Sequence, residues 1–186
     1  MDPLVIIRKY YEPGTKAYRF LVEHSKAVTE KALEVARRFM ELHPKMKIDL
    51  KFIEEAAMLH DIGVFLTDAP EIGCHGKEPY VGHGWLGAEL LRREGLPRHA
   101  LVCERHVGTG IKRGEVEEQN LPLPRRDMMP ETPEEKIVCF ADKFFSKSPG
   151  KQGREHTIEE IRKELARFGK DNLKRFDEWL ELFGYE

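Results

Sequence analysis

Four side chains that could bind a metal ion interrupt apolar segments at widely separated points of the chain: His24, His60, Asp61 and Asp142. A single inward-facing histidine is usually a core residue with its ring nitrogens hydrogen-bonded. A buried carboxylate without a partner is harder to explain, because its burial costs several kcal/mol. Imidazole and carboxylate groups are the usual nitrogen and oxygen ligands of transition metals. Because three segments supply such groups, the sequence favours one shared metal site over isolated core residues.

The neighbouring residues His60 and Asp61, within "AAMLHDIGVF", also have a purely structural interpretation. They stand where an apolar helix is about to finish, so their side chains could simply cap that helix. The functional interpretation is that one turn of helix presents both side chains to the same metal ion. The other inward-facing polar residues favour this second interpretation.

Helical periodicity places each of these four residues on or at the end of a helix. Apolar positions recur at helical spacing, Gly and Pro residues separate the segments, and Asp49 and Thr132 are predicted N-caps. No stretch alternates polar and apolar residues for long enough to predict a strand, so the predicted fold class is all-α. The predicted helices span about 16–42, 49–63, 83–93, 97–106, 132–145 and, as one or two closing helices, 157–183.

Three segments rich in Gly, Pro or polar residues are predicted as loops: 67–82, 111–131 and 146–157. The second is long for a loop, and loops of such length are usually functional or mobile. Cys103 and Cys139 lie on apolar helix faces and are predicted core residues. The remaining histidines are predicted to be loop residues or solvated helix ends: His43, His75, His99 and His156.

The composition describes an ordinary globular protein of 186 residues, long enough for one domain with a substantial core. A net charge of −2 gives no general bias towards nucleic acid or anionic membranes, and we predict neither as a partner. Three cysteines without a CxxC pair, and no secretory signal near Met1, predict reduced thiols in a cytoplasmic protein. No apolar stretch approaches the roughly 20 residues that cross a bilayer. The sequence is compatible with a homodimer and does not determine the oligomeric state.

In this order and in these helical contexts, His24, His60-Asp61 and Asp142 resemble the H…HD…D signature of the HD-domain metal-dependent phosphohydrolases. The continuation "HDIG" matches a common form of that motif. The resemblance covers about residues 20–147 and implies that the four residues bind a metal ion. It also implies a single HD-domain helical bundle over 1–186, with a core at about 16–147 and a C-terminal extension of closing helices at about 157–183.

Two further histidines, His83 in "GHGWLGAELL" and His106 in "LVCERHVGTG", resemble the extra histidines of HD proteins that bind two metals. The pattern is most similar to bacterial HD-family hydrolases of diadenosine tetraphosphate. It differs from the cyclic-di-GMP phosphodiesterases, whose GYP motif and paired HH this chain lacks. The resemblance implies that Asp61 bridges two metals, with His24, His60 and Asp142 on the first and His83 and His106 on the second. The alternative is that His83 and His106 are surface residues at helix ends.

The chemistry that the resemblance implies is hydrolysis of a phosphoester or phosphoanhydride, for which a nucleotide is the expected substrate. One or two divalent ions (Fe, Mn, Zn, Co or Ni) would hold the hydroxide that attacks phosphorus, with Asp61 and His60 as catalytic residues. Two alternatives stay open: a single-metal nucleoside monophosphate phosphatase and a non-catalytic, nucleotide-binding regulatory module. Basic residues near the ligands or in loops are predicted to bind the substrate's phosphates: Lys143, Arg105, Lys147 and Arg154.

Overall fold

The computed structural model describes residues 1–145 and 154–185, which form a bundle of α-helices. Short 3₁₀ turns connect several of the helices, and β1 (Asp68–Ala69) pairs with β2 (Cys74–His75) in an antiparallel ribbon two residues long. The all-α prediction is confirmed. The helices are α1 Pro3–Tyr10, α2 Lys16–Leu42, α3 Leu50–Leu59, α4 His83–Arg93, α5 Pro97–Arg105, α6 Arg113–Glu118, α7 Pro133–Asp142, α8 Ile158–Leu165 and α9 Lys170–Phe183.

Most helices begin at a side-chain cap that satisfies a free backbone N–H group. The predicted cap Asp49 accepts a hydrogen bond from the Phe52 amide at 2.9 Å, and Thr132 accepts one from the Glu135 amide at 3.2 Å. Thr157 caps α8 in the same way. Among the helices that carry candidate metal ligands, α2, α3 and α7 therefore begin at a capping side chain.

Two short helices, α1 and α6, were not predicted from the periodicity. α1 has eight residues and α6 has six, too few for an apolar stripe to repeat clearly. Each is held by packing instead: Ile7 of α1 and Val116 of α6 are buried. The segment 111–131 is therefore only partly a loop.

The hydrophobic core has two main parts on either side of the candidate ligands. The larger part joins α2, α3 and α7 to the closing helices, and the ring of Phe140 lies 5.3 Å from that of Phe176 and 5.1 Å from that of Phe183. The smaller part joins α1 and the start of α2 to α3, α4 and α5. The closing helices α8 and α9 thus share the main core. The division of residues 1–186 into one domain with an extension stays a prediction.

All three cysteines are buried thiols that form no disulfide, and burial was predicted for Cys103 and Cys139. Burial raises the pKa of Cys139 to about 12 and that of Cys74 to about 11, so both thiols are protonated at neutral pH. None of the helices that the structure describes is long and apolar enough to cross a membrane. The cytoplasmic location stays a prediction.

Candidate metal centre

Six buried His and Asp side chains from five helices meet at one point between the two parts of the core. One lies within α2, one begins α4, and the others stand at or just after the last residues of α3, α5 and α7. The structure therefore brings together every residue that was predicted as a metal ligand. They are His24, His60, Asp61, His83, His106 and Asp142.

The carboxylate of Asp61 lies between two groups of histidines. Its Oδ2 atom is 3.4 Å from His24 Nε2 and 3.6 Å from His60 Nε2. Its Oδ1 atom is 3.1 Å from His106 Nε2 and 3.3 Å from His83 Nε2. Each oxygen thus lies beside its own pair of imidazole nitrogens.

The other carboxylate, that of Asp142, belongs to one side of the centre. Its Oδ1 atom is 3.0 Å from His24 Nε2 and 3.3 Å from His60 Nε2. Ligand atoms bound to one ion at about 2.1 Å lie roughly 3.0–3.4 Å from one another, so these spacings fit a shared ion. His24, His60 and Asp142 form one candidate group, and His60, Asp61 and His106 form another.

Backbone hydrogen bonds fix three of the rings with Nε2 towards the centre. Nδ1 of His60 donates to the Ala57 carbonyl at 2.7 Å, and Nδ1 of His106 donates to the Cys103 carbonyl at 2.7 Å. His83 makes the same bond to the carbonyl three residues before it, at 2.6 Å. Because these carbonyls only accept, each ring carries a proton on Nδ1, and in its neutral form such a ring has a lone pair on Nε2.

The Nε2 atoms of His83 and His106 are only 3.1 Å apart. Two lone pairs at that distance repel each other, unless a cation or a proton lies between them. Burial lowers the pKa of His106 to about 3, so the His106 ring itself is uncharged at neutral pH. The donor set of this side of the centre therefore fits a metal ion.

The helix ends add negative potential to the centre. α3, α5 and α7 all finish at ligand residues, and a helix C-terminus carries a partial negative charge. Together with two carboxylates, these ends favour bound cations. Lys143 supplies one positive charge: its Nζ atom is 2.9 Å from Asp142 Oδ2 and donates to the His106 carbonyl at 3.2 Å.

The glycine of the "HDIG" segment brings α4 into contact with this segment. A Cβ atom on Gly63 would lie 2.2 Å from the His83 carbonyl oxygen and 2.4 Å from the Gly87 amide nitrogen. A Cβ atom on Gly87 would in turn lie 2.6 Å from Cys103 Sγ on α5. The backbone of α4 thus packs directly on Gly63, which places His83 beside Asp61.

Three buried groups outside the ligand set hold the ligand segments in position. The Cys103 thiol donates to the His60 carbonyl at 2.9 Å, and the Cys139 thiol donates to the His106 carbonyl at 3.3 Å. Tyr11, which follows α1, donates its hydroxyl to the Ile62 carbonyl at 3.0 Å. The sequence analysis did not identify these roles, although Asp2-Pro3 is a recognisable helix start for α1.

The four predicted phosphate-binding residues differ in where they lie. Lys143 lines a cavity of about 620 Å³ that also contains His83, His106 and Asp142. The structure does not bring Arg105 to that cavity, because its guanidinium pairs with Glu135 at 2.9 Å and with Glu131 at 3.1 Å. Arg154 pairs with Glu160 at 2.6 Å and is absent from the described lining. Lys147 lies outside the described residues.

His156 is the cavity residue that the sequence analysis placed wrongly, as a solvated helix end. It is buried and lines the same cavity as the metal centre. Its backbone amide donates to the Phe144 carbonyl at 2.7 Å, which fixes it beside the end of α7. No local signal marks this position, because His156 is placed by its contact with Phe144, a residue that is not its neighbour in the sequence.

The chain belongs to the HD domain family, which matches residues 21–146. This match confirms the family resemblance that the ligand pattern indicated. HD domains bind divalent metals, and the structure supplies buried His and Asp groups that could hold them. The donors suit Fe, Mn, Zn, Co or Ni.

Three relatives are similar to this chain over part of their length. An uncharacterized protein of Methanocaldococcus jannaschii is 40% identical over 67% of this chain and 66% of that protein. The tRNA (cytidine(56)-2'-O)-methyltransferase of Thermoplasma volcanium is 34% identical over 73% of this chain, and that of Picrophilus torridus is 36% identical over 63%. The matched regions make up only 34% and 30% of those two enzymes. No solved structure matches the chain. These relatives do not support the narrower resemblance to diadenosine tetraphosphate hydrolases.

Proposed function

We propose that the protein is a metal-dependent phosphohydrolase that binds two divalent ions and acts on a small phosphorylated substrate. His24, His60 and Asp142 would hold the first ion, His83 and His106 the second, and Asp61 both. The position of Asp61 carries this proposal, since its Oδ2 atom faces His24 and His60 whereas its Oδ1 atom faces His83 and His106. A carboxylate that served only as a helix cap would not have four imidazole nitrogens around its two oxygens.

Divalent ions, when bound, lower the pKa of water and neutralise the charge of phosphoryl oxygens. The protein's own residues supply the remaining parts of the reaction. Asp61 lies at the middle of the centre, where its carboxylate is placed to accept a proton from the attacking water. The Lys143 ammonium lies in the cavity beside Asp142 and balances the negative charge of an incoming phosphate. The buried surroundings strengthen both interactions.

A non-catalytic, nucleotide-binding module is the second candidate function. The matched region makes up about a third of two relatives whose names describe methyl transfer, so a domain of this kind occurs beside another activity. Such a module would bind metal and ligand without hydrolysing the ligand. The dinucleoside polyphosphate hydrolase is a narrower form of the first candidate, whereas the single-metal nucleotidase is an alternative to it that binds one ion per chain.

The test is to load the purified chain with Mn²⁺, Zn²⁺ or Co²⁺ and measure metal per chain together with hydrolysis of p-nitrophenyl phosphate and its bis-ester. We expect up to two ions per chain. Asp61→Ala should lose most of the metal and about a thousandfold or more in kcat/KM, since both ions depend on it. Asp177→Ala, which removes an exposed carboxylate paired with Arg162, is the control and should change neither value. Full activity in metal-free protein would overturn the proposal, and metal binding without hydrolysis would favour the regulatory module.

A further inference from the structure

The cavity that reaches the metal centre has mainly apolar walls away from the ligands. Its volume of about 620 Å³ is that of a small-molecule site, for which about 300–1,000 Å³ is typical. The side chains come from the segments before α4 and after α5, from α6 and the residues that follow it, from the end of α7, and from α8 and α9. The apolar residues include Ile72, Val107, Ile111, Leu121, Phe145 and Leu165.

Charge is distributed unevenly in this lining. Among the lining residues that the structure describes, Lys143 is the only lysine or arginine, and it lies beside the metal centre. Three carboxylates also line the cavity: Glu115 is half-buried and lies 4.0 Å from an Arg175 nitrogen, and Glu71 and Glu164 are exposed. A chain of several phosphates along the described part of these walls would lie beside carboxylates and apolar side chains, and like charges repel one another.

The polar groups of the same walls suit a neutral organic group that can form hydrogen bonds. Glu115 is held in place, because its Oε2 accepts from the Lys112 amide at 2.7 Å and its Oε1 accepts from Asn172 at 3.5 Å. Gln119 also lines the cavity. His156 is buried there, and its Nε2 atom has no hydrogen-bond partner among the described residues. Hydroxyl and amino groups of a ligand would supply partners for such side chains.

We infer that the substrate is a phosphomonoester of a neutral, partly apolar alcohol about the size of a nucleoside, and that polyphosphates are poor substrates. This inference rests on the proposed hydrolase function. The single phosphate occupies the end of the cavity with the metal centre and Lys143, and the organic group occupies the apolar part. In the reaction, the oxygen of water forms a bond to phosphorus, the ester P–O bond breaks, and a proton passes to the alcohol that leaves. The products are the alcohol and inorganic phosphate.

The first experiment compares adenosine mono-, di- and triphosphate as substrates of the metal-loaded chain, because the three share one organic group. We expect kcat/KM to fall about tenfold or more from the monophosphate to the triphosphate. An equal or higher value for the triphosphate would overturn the inference. Hydrolysis of p-nitrophenyl phosphate is measured in parallel to separate the substrate inference from the proposed function. If the metal-loaded chain does not hydrolyse this ester, the proposed function itself is contradicted. In that event, calorimetric titration of the same nucleotides still decides the inference, which tighter binding of the triphosphate would overturn.

The second experiment reverses one charge in the cavity. Glu164→Lys puts a cation into the wall, so we expect the ratio of diphosphate to monophosphate kcat/KM to rise about fivefold, the effect of roughly one additional ion pair. Glu159→Lys changes the same charge on α8 at a residue that is exposed, as Glu164 is, but is not part of the described lining, and its ratio should stay constant. An unchanged ratio in the Glu164 variant, or an equal rise in both variants, would overturn the inference.

Discussion

The two sides of the metal centre are built in different ways. On one side, His24 and Asp142 lie on α2 and α7, two helices that would pack together without any metal because they share the main core. On the other side, His83 reaches Asp61 only because the backbone of α4 lies directly on Gly63. The position of the first pair of ligands therefore depends on the packing of large apolar side chains. The position of His83 depends on the close backbone contact that Gly63 and Gly87 allow. The ligand chemistry differs as well, since the first side has oxygens from two carboxylates and the second has an oxygen from one.

The sharpest test of this difference is to remove one histidine from each side. His24→Ala should lower kcat/KM about a hundredfold or more, whereas His83→Ala should lower it about tenfold and leave one ion bound, because the side with two carboxylates binds its ion more tightly. Elemental analysis and turnover measure both effects. His99→Ala is the control, as His99 is bonded to Glu55 at 3.2 Å outside the centre. If His83→Ala left metal content and turnover unchanged, a single-metal enzyme would be the better description.

A smaller effect is expected when Gly63 acquires a methyl group. Gly63→Ala forces apart the backbones of the "HDIG" segment and α4, and overpacking of this kind costs about 1–3 kcal/mol in the free energy of unfolding. Because α4 carries His83, the variant should also lose the second ion before the first. Urea unfolding and metal analysis measure these changes. Gly114→Ala is the matched control, because nothing lies within 4 Å of a Cβ atom there. Loss of both ions together would contradict the separate construction of the two sides.

The smallest effect is expected at the cap of α7. Thr132→Ala removes the side chain that accepts from the Glu135 amide and should cost about 1 kcal/mol in the free energy of unfolding. Thr157→Ala removes the equivalent cap of α8, which carries no ligand, at a similar cost. Both variants should unfold at lower urea concentration, but only Thr132→Ala should weaken binding of the first ion, because α7 ends at Asp142. Equal metal affinity in the two variants would show that fraying at the start of α7 does not reach Asp142.

The sequence predicted the long helices and the ligand set, because these depend on local patterns. The bounds of α2 and α4 match the prediction, since each has a clear apolar stripe and a definite end signal. The ligands were recognisable because polar side chains interrupt those stripes. The helices α1 and α6 were missed because short helices depend on tertiary packing.

The side chains next to the ligands were harder to predict. Arg105 precedes His106 in the sequence, but neighbouring residues of a helix point about 100° apart, so Arg105 turns to Glu131 and Glu135. Lys143 follows Asp142 where α7 has ended, and its side chain turns back to the His106 carbonyl. His156 was predicted to be solvated, but it is buried, and its backbone amide donates to the Phe144 carbonyl. A residue next to a ligand in the sequence therefore lies in the same site when the helix has already ended, as at Lys143, but not when it is still within the helix, as at Arg105.

The contact between His24 and Asp142 joins residues that are 118 positions apart in the chain. Bringing such distant segments together has a large entropic cost in the unfolded chain and is slow, so this side of the centre forms only after α2 and α7 have met. A metal ion shared by His24 and Asp142 would therefore bind after the early steps of folding. Once bound, however, it links the beginning of the chain to its last third, and the helices cannot separate until that link opens. The ion would thereby act on the rate of unfolding and lengthen the lifetime of the folded state.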